Sequence, residues 1–504
     1  FGGDIDNWEW PQHKCDFAMY RIYTAPDGSP ATYSKDNVPM KPKAKLNISL
    51  DGYKEGDFTM VIGYPGRTNR YSSSYEVDFN ESVKLPISNG IRGEQMSIIK
   101  KWMDTDPQIR LKYADYFFSL SNVQELYSGE VECCERFDVV GKKQELEKEL
   151  QEWIMASPER AERWSGLLAH LERNYKAIAP AEANAAYFRE TLIRGTRLST
   201  IIRRASNPRN QQGTGPKMLE AYEELDLRVE RELMEYALET YINNIDPKYF
   251  TPWQSEILSR FAVDGGYDTK ALSDSLWNVS LFTTEDGIRR LGERDVEFTD
   301  IVEDPLARFI LDIKVTAFND DKQKAEEGTS TISLDREFTH ALYQMRLDKG
   351  QPQYPDANST MRITYGTVGH LEPRDGVICD WKTTPAGILE KYSPTDYDFH
   401  LNDRQYLLYR SADWGRWGFG PDNSLMYVNF LTDNDITGGN SGSPVMNSKG
   451  ELIGLAFDGN KESLTSDVYC TPGYNKCVCV DIRFILWTID RYAGLTRIID
   501  EIGL

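Results

Sequence analysis

Residues 437–444 read TGGNSGSP, and the apolar segments 445–446 and 452–457 follow them around a Lys449-Gly450 turn. Three glycines flank Ser441, so the backbone can turn tightly and bring amide N–H groups to one point. An oxyanion hole needs such convergence when a carbonyl oxygen gains charge in acyl transfer, and Gly439 is the expected donor. This order of loop, serine and hairpin differs from the strand-to-helix turn of α/β-hydrolases. We interpret Ser441 as a nucleophile, the alternative being a structural Gly/Ser turn.

Working outward from this loop, the hydrophobic pattern changes twice along the chain. Strand-like segments occur near both ends, at 17–23, 58–64, 361–365, 425–430, 452–457 and 478–482. Helical periodicity dominates between them, at 141–174, 217–243, 273–291 and 304–321, with a break at Ser157-Pro158. The pattern predicts an α+β protein whose β-domain is split by a helical insertion, with domains at 1–84, 85–350 and 351–504.

Composition excludes several classes of protein. At roughly 150 residues per domain, 504 residues predict about three domains. No apolar run approaches the roughly 20 residues of a membrane helix. The formal charge of −21 argues against nucleic-acid binding. Seven cysteines without a CxxC pair make a structural zinc site improbable, while a disulfide within the 470–479 cluster stays open.

A serine nucleophile needs a base, and the base needs an orienting carboxylate. The five histidines are His13, His170, His340, His370 and His400, and none of them stands out as the base. The chain begins at Phe1 with neither an initiator Met nor a signal-peptide pattern. We therefore expect a processed product or missing upstream sequence, and a base that lies upstream.

The first 17 residues, FGGDIDNWEWPQHKCDF, resemble the FGGDxDNWxWPRHxGDF signature of the S46 family of bacterial serine dipeptidyl peptidases. Further segments resemble the same family at 63–68, 354–358, 434–444 and 480–483, so the resemblance covers the whole chain and is closest to the dipeptidyl peptidase 7 branch. It implies a chymotrypsin-like double β-barrel, here with an incomplete first barrel (1–84), a helical cap domain (85–350) and a second barrel half with a C-terminal helix (351–504).

The resemblance also implies an activity and the residues that carry it. Members release dipeptides from the free N-termini of oligopeptides, without a metal or cofactor. Ser441 matches the family nucleophile and Asp16 its triad aspartate. The family's catalytic histidine lies upstream of the signature, and His13 matches a different histidine. The chain as given is therefore expected to lack its base.

A second group of residues matches the family's site for the substrate's α-ammonium group. It consists of Asn7, Trp8 and Asp458, with a looser match at Asn122. A carboxylate aided by an amide oxygen binds ammonium through charge-assisted hydrogen bonds, and an aromatic wall adds cation–π attraction. The alternative reading of Asp6-Asn7-Trp8 is an Asx turn with a core tryptophan.

Three positions depart from the family pattern or set its specificity. Cys15 replaces a glycine and Gln12 the usual arginine, and neither change removes a catalytic group. Gly459 stands where acidic-specific members carry an arginine that would pair with a substrate Asp or Glu side chain. We therefore predict a preference for hydrophobic penultimate residues.

Two alternatives remain open from the sequence. One is an inactive fragment or homologue that binds peptide N-termini, and the other is a conventional chymotrypsin-class endopeptidase. The partners implied by the resemblance are oligopeptides with a free N-terminus and a second copy in a homodimer. The implied location is the periplasm or cell surface of a Gram-negative bacterium, or the medium.

Overall fold

The computed structural model of the chain describes residues 1–3, 5–208, 214–312 and 330–504. It divides into two compact units, one formed by Phe1–Tyr71 with Tyr354–Leu504 and the other by Ser72–Gln353. The first unit carries a six-stranded sheet and the second is almost entirely helical. The predicted mixture of helix and sheet is confirmed, whereas the double barrel and the three-domain division stay predictions.

The first segment of the chain contributes three strands, β1 (Tyr23–Thr24), β2 (Val38–Pro39) and β3 (Phe58–Gly63). The strand predicted at 58–64 is confirmed. The strand predicted at 17–23 is wrong, because only its last residue lies in a strand. The side chains at 18–23 are all exposed, so no buried face selects an extended ladder there.

The Ser72–Gln353 unit consists of packed helices and one short hairpin. Its helices are α1 (Ser74–Phe79), α2 (Leu85–Met103), α3 (Pro107–Arg136), α4 (Val139–Met155), α5 (Pro158–Trp164), α6 (Leu167–Phe188), α7 (Arg197–Ala205), α8 (Pro216–Glu223), α9 (Leu227–Asn244), α10 (Pro252–Ser259), α11 (Thr269–Val279), α12 (Glu285–Glu293), α13 (Phe298–Glu303), α14 (Pro305–Leu311) and α15 (Thr331–Asp348). The hairpin strands are β4 (Ala262–Val263) and β5 (Gly266–Tyr267), and π-helical turns follow α1 (Asn80–Lys84) and α6 (Arg189–Ile193).

Capping residues explain several of these boundaries. Ser157 caps α5 by accepting the N–H of Arg160, and Pro158 occupies the first helical position, which confirms the predicted break. The helix predicted at 304–321 is present as α14 up to Leu311, and residues 313–321 of that prediction lie outside the described residues.

The last segment returns to strands and closes with helices. Its strands are β6 (Arg362–Thr367), β7 (Leu371–Arg374), β8 (Val377–Cys379), β9 (Asn429–Thr432), β10 (Pro444–Met446), β11 (Leu452–Gly459) and β12 (Cys477–Asp481). Its helices are α16 (Pro385–Lys391), α17 (Asp403–Ser411), α18 (Ile482–Trp487) and α19 (Thr496–Ile502).

Six strands form one antiparallel sheet in the order β6-β3-β10-β11-β12-β9. β3, which the sequence analysis placed in the first barrel half, pairs with two strands of the last segment. The two edge strands also meet, because Val368 bridges Thr432 and the N–H of Asp433 donates to the carbonyl of Thr367 at 3.0 Å. The sheet therefore curls until its edges touch.

A buried ion pair fixes the chain where β12 turns into α18. The Asp481 carboxylate accepts hydrogen bonds from Tyr53 Oη at 2.7 Å and from Arg483 Nε at 3.0 Å. Both charged side chains are at most 1% exposed, and the guanidinium lies 4.0 Å above the ring of Phe419. Because burying charge is costly without a partner, these two residues depend on each other.

The structure bears on two questions from the sequence, a disulfide within residues 470–479 and a membrane-spanning helix. All seven cysteines are unpaired, and Cys477 and Cys479, with sulfurs 3.5 Å apart, lie on the same face of β12. Within the described ranges, no helix has both the length and the apolar character that a membrane span requires.

Candidate functional site

The loop that carries Ser441 joins β9 to β10 and is held by its own backbone. Asn440 is buried, and its Oδ1 accepts the N–H of Thr437 at 3.2 Å. The N–H of Ser443 donates to the carbonyl of Asn440 at 2.8 Å, and the N–H of Asn440 to that of Thr437 at 3.0 Å. These bonds form a tight turn that leaves Ser441 exposed at its tip.

The neighbouring loop after β3 fixes the peptide between Gly438 and Gly439. The N–H of Gly66 donates to the carbonyl of Gly438 at 2.6 Å. Gly439 has φ +107°, and a Cβ there would lie 2.4 Å from the carbonyl oxygen of Tyr64. The position therefore requires glycine both for its backbone angle and for space.

Two backbone N–H groups of this turn are without an acceptor among the described residues. Because a trans peptide directs its N–H opposite to its C=O, the Gly439 N–H points away from Gly66. In the part of the chain that the structure describes, neither this N–H nor that of Ser441 has a hydrogen-bond acceptor. Their role as donors to an oxyanion at Ser441 stays a prediction.

Asp458 lies on β11, the strand to which the serine loop is bonded. The N–H of Gly442 donates to the carbonyl of Ala456 at 2.7 Å, and the N–H of Ala456 donates to that of Ser443 at 3.0 Å. The β11–β12 register shifts between Ala456 and Asp458, which forms a bulge. A bulge re-aims the side chains around it. Here Phe457 is the residue without a partner on β12, and Asp458 resumes the ladder opposite Val478.

Three donors hold the Asp458 carboxylate. Its Oδ2 accepts Gln12 Nε2 at 2.7 Å and the N–H of Trp8 at 3.2 Å, and its Oδ1 accepts the N–H of Gly459 at 2.9 Å. Burial raises the pKa of Asp458, while the Gln12 hydrogen bond and the Lys14 charge act in the opposite direction. None of the three bonded donors is a cation, so no hydrogen-bonded positive charge neutralises the carboxylate.

The two residues that reach Asp458 from the N-terminal segment each leave a buried polar atom without a hydrogen-bond partner among the described residues. These atoms are Trp8 Nε1 and Gln12 Oε1. The Trp8 ring lies over Gly459, where an added Cβ would come within 3.3 Å of ring atom Cζ3. Trp8 itself has φ +57°, a backbone conformation that non-glycine residues seldom adopt.

The N-terminal segment is anchored in the same unit at Asp6, Trp10 and Lys14. Lys391 Nζ donates to the Asp6 carboxylate at 2.8 Å, and Trp10 Nε1 donates to the carbonyl of Asp380 at 2.9 Å. The Asn429 amide exchanges hydrogen bonds of 2.8 Å with the backbone N–H and C=O of Lys14. These contacts could not be predicted from the sequence, because their partners lie at least 370 positions away.

The histidines of this unit are engaged elsewhere. His13 is buried against Gly387, and burial, with the Lys391 ammonium, lowers the pKa of His13 to about 4. His370 is exposed between Glu55 and Glu372, whose hydrogen bonds raise its pKa. His400 is exposed near the ring of Tyr392. None of the three hydrogen-bonds Ser441 within the described chain.

The structure thus brings together only part of the predicted site. Trp8, Asp458 and Gly459 are in contact, and Gly439 and Ser441 share one turn. Asp16 is exposed and has no hydrogen-bond or ion-pair partner among the described residues. Asn7 is half-buried, and Asn122 is exposed on α3 of the helical unit, so the roles of these residues stay predictions.

Sequence reasoning missed Gln12 as a direct partner of Asp458. The departure from the family arginine was noted, but nothing in the sequence shows what the side chain at this position contacts. It also missed Arg70. The guanidinium of Arg70 donates from Nη2 to Asp435 Oδ1 at 2.7 Å and from Nε to the carbonyl of Ser466 at 2.8 Å. This contact ties the chain before the serine loop to the loop after β3.

No group of three or more His, Cys, Asp or Glu side chains suited to a metal ion occurs among residues 1–3, 5–208, 214–312 and 330–504. The groups described at this site are a serine hydroxyl, backbone N–H donors and the half-buried carboxylate of Asp458.

Comparison with known proteins places these features in a family. The family description peptidase S46 matches residues 1–504. Dipeptidyl-peptidase 7 of Capnocytophaga gingivalis is 35% identical over 522 residues, covering 100% of this chain and 71% of the relative. An Asp/Glu-specific dipeptidyl-peptidase of the same organism is 34% identical, with 100% and 71% coverage.

A solved structure agrees with the sequence relatives. The crystal structure of Porphyromonas endodontalis DPP11 in complex with the dipeptide Arg-Asp matches with a TM-score of 0.83 and 28% identity, covering 100% of this chain and 72% of that one. The resemblance stated from the sequence is thereby confirmed. The chain belongs to the peptidase S46 family.

Proposed function

We propose that the protein is a serine dipeptidyl peptidase that releases dipeptides from the free N-termini of oligopeptides and prefers hydrophobic penultimate residues. Both relatives named above are dipeptidyl-peptidases, which supports the reaction class. The observation that carries the proposal is the half-buried carboxylate of Asp458, which has no cationic hydrogen-bond partner and lies on the strand that bonds the Ser441 loop.

A free N-terminus is the ligand that such a carboxylate fits. The α-ammonium group is a cation with three N–H donors, and a carboxylate accepts them in charge-assisted hydrogen bonds. The face of Trp8 adjoins the same spot and adds cation–π attraction. Asn7, the neighbouring residue, supplies an amide oxygen in the family pattern that we carry over to this chain.

The spacing along β11 supports release of two residues. Ala456 is bonded to the serine loop, and Asp458 lies two residues further along the same strand. The first two residues of an extended peptide span about 7 Å, from the α-amino nitrogen to the second carbonyl. We propose that a substrate whose ammonium group is held at Asp458 presents this second carbonyl to Ser441.

The proposed reaction proceeds through an acyl-enzyme. Ser441 Oγ attacks the second carbonyl carbon while its proton passes to a histidine that Asp16 orients, which the family pattern puts upstream of Phe1. The carbonyl oxygen becomes an oxyanion that accepts the N–H groups of Gly439 and Ser441. The histidine returns the proton to the leaving amine, and the C–N bond breaks. Water then attacks the ester, gives a proton to the histidine, and releases the dipeptide as Ser441 regains its hydrogen.

The preference for a hydrophobic penultimate residue rests on Gly459. Overall identity does not decide the matter, since the two relatives differ by one percentage point, 35% against 34%. Glycine offers no charge to a substrate Asp or Glu side chain, and the Trp8 ring beside it provides an apolar wall. The chain's charge of −21 further disfavours acidic peptides.

We further infer a homodimer located in the periplasm, at the cell surface or outside a Gram-negative bacterium. The S46 family pattern supports both inferences. Sedimentation velocity of the native protein and fractionation of the producing cells test them separately.

The decisive test labels the native, full-length protein with a fluorophosphonate and measures its activity. We expect a single adduct on Ser441. The Ser441→Ala variant should not be labelled, and its kcat should fall roughly 10⁶-fold. Ser448→Ala, an exposed serine in the β10–β11 turn, serves as the matched control and should leave both unchanged.

Substrate choice is tested with dipeptidyl fluorogenic amides that differ only in the second residue. Met, Leu and Phe should be cleaved faster than Asp and Glu, and N-terminal acetylation should abolish cleavage. Faster cleavage of the acidic substrates would refute the assignment of Gly459. Efficient cleavage of acetylated peptides would refute the dipeptidyl peptidase proposal in favour of an endopeptidase.

A further inference from the structure

A cavity of about 850 Å³ in the helical unit collects an unusual number of arginines. Its arginine lining is Arg92, Arg189, Arg194, Arg197, Arg203 and Arg204. They come from α2, from the π-helical turn after α6 and the residues that follow it, and from α7. Acidic residues outnumber basic ones by 21 in the whole chain, so this concentration of cations runs against the average composition.

Three of these arginines build the wall of the cavity. Arg92 and Arg194 both pair with the buried carboxylate of Glu190, at 2.9 Å and 3.3 Å. Arg197 Nη1 donates to the backbone carbonyls of Lys112 and Glu224, both at 2.9 Å. Their donors are therefore largely committed to the protein itself.

The other three arginines are uncommitted. In the part of the chain that the structure describes, Arg189, Arg203 and Arg204 have neither a hydrogen-bond nor an ion-pair partner for their side chains. Arg203 and Arg204 lie in the last turn of α7, where a cation favours the helix dipole without using its N–H donors. Each guanidinium retains five such donors in a fixed fork.

Carboxylates do not neutralise this lining. Only two of the described lining residues are acidic, Glu190 and Glu224, and Glu190 is already shared by two arginines. Six guanidinium groups against two carboxylates leave the cavity strongly positive.

The rest of the lining combines polar side chains with an apolar group. Leu120, Val123, Ile193, Ile201 and Leu225 line the same space. The volume falls within the roughly 300–1,000 Å³ that small-molecule sites occupy, and such sites combine apolar walls with a few placed polar groups. Cationic donors beside apolar walls match a ligand with an anionic head and an apolar body.

We propose that this cavity binds a small organic anion. Arg189, Arg203 and Arg204 hold its phosphate or carboxylate head, because the guanidinium fork matches both oxyanions. The apolar body packs against the aliphatic walls. Asn122, the residue of α3 that the family pattern assigns to substrate binding, is not among the described lining residues, although its neighbours Leu120 and Val123 are. The labelling experiment below distinguishes this site from the proposed peptidase site.

The test is calorimetric titration of the full-length protein with three probes. Phenyl phosphate carries both head and body, inorganic phosphate carries the head alone, and benzyl alcohol carries the body without charge. We expect phenyl phosphate to bind most tightly, inorganic phosphate more weakly, and benzyl alcohol not measurably. The affinity for phenyl phosphate should fall as salt rises.

Variants decide whether the arginines carry the binding. The triple variant R189Q/R203Q/R204Q should weaken phenyl phosphate at least tenfold. Should the triple variant fail to fold, R204Q alone changes an exposed residue and should weaken it at least threefold. R336Q is the matched control, since Arg336 is an exposed α15 arginine outside the cavity lining that also has no side-chain partner in the described chain, and it should bind like the wild type.

Other outcomes overturn the proposal. Unchanged phenyl phosphate affinity in the folded arginine variants would do so, as would equally tight binding of benzyl alcohol. Binding that disappears once Ser441 is labelled with a fluorophosphonate would assign the ligand to the peptidase site instead.

Discussion

Replacing Asp458 by asparagine removes one negative charge while keeping the shape of the side chain. An asparagine Oδ1 in the place of Oδ2 still accepts the Gln12 and Trp8 donors, at the present distances of 2.7 and 3.2 Å. Its NH₂ group then faces the Gly459 N–H, which now donates to Oδ1 at 2.9 Å. The substitution therefore weakens the ammonium site electrostatically at a small, local structural cost.

The expected loss of activity follows from the hydrogen bond that disappears. A hydrogen bond to a charged group contributes about 1.5–3 kcal/mol, and about 1.4 kcal/mol corresponds to a factor of ten. We expect kcat/KM for dipeptidyl amides with a free N-terminus to fall roughly 10- to 150-fold. Asp375→Asn removes an equal charge from the exposed β7–β8 turn and should leave kcat/KM unchanged.

The same substitution should raise stability. Relative to the wild type, the free energy of unfolding of Asp458→Asn should increase as the pH rises. Burial raises the pKa of Asp458, so the folded protein disfavours the ionised form. The wild type therefore loses stability as pH rises from the unfolded pKa of about 4 through the raised folded pKa. The asparagine variant lacks this loss, so its free energy of unfolding relative to the wild type should increase over that window and then level off.

Urea unfolding of both proteins from pH 4 to pH 8, beside steady-state kinetics, checks both halves of the prediction. Any destabilisation from the altered contact with the Gly459 N–H would be the same at every pH. It would therefore not change the slope of the stability difference against pH. A stability difference that is flat or falls with pH, or a kcat/KM within twofold of the wild type, would refute the reasoning about this carboxylate.

Three further substitutions test neighbouring features. Gly439→Ala places a methyl group 2.4 Å from a carbonyl oxygen and should lower kcat 10²- to 10³-fold with KM nearly unchanged, and a kcat within threefold would contradict the proposed oxyanion donor. Gln12→Arg sets a cation against Asp458 and should lower its pKa, so the loss of stability with rising pH should shrink in urea titrations, and an unchanged slope would argue against the contact. Arg483→Met strands the buried Asp481 carboxylate and should cost about 3–5 kcal/mol in the free energy of unfolding, whereas adding Asp481→Asn should recover part of that loss, and a cost below about 1 kcal/mol would show that the pair is not needed.

Local patterns were readable from the sequence where burial and chain chemistry agree. The apolar run of β3 predicted a strand, and the structure buries alternate residues of it in the sheet. The break between α4 and α5 was predicted because Ser157 and Pro158 have fixed preferences at a helix start. The segment at 17–23 has the composition of a strand but exposed side chains, so composition alone misled.

The parts of the site that depend on distant contacts were not readable. Gln12 and Asp458 are 446 positions apart, and the sequence does not specify that they meet. The arginine cavity is different, because five of its six arginines lie within the basic segment 189–204, a signal that the sequence analysis did not single out. What a family pattern could supply was a set of matching positions, and their contacts come only from the folded chain.

The pairing of β3 with β6 has a consequence for how the protein is made. Gly63 and Arg362 are register partners, so residues 64–361 form the connection of what would otherwise be an ordinary hairpin. At roughly 5–20 residues per second, a ribosome needs about 15–60 s to synthesise that connection. The apolar strand β3 must wait through this interval without either of its neighbours, which are β6 and β10. Biogenesis of this protein therefore depends on shielding a strand that is synthesised early until its partners emerge.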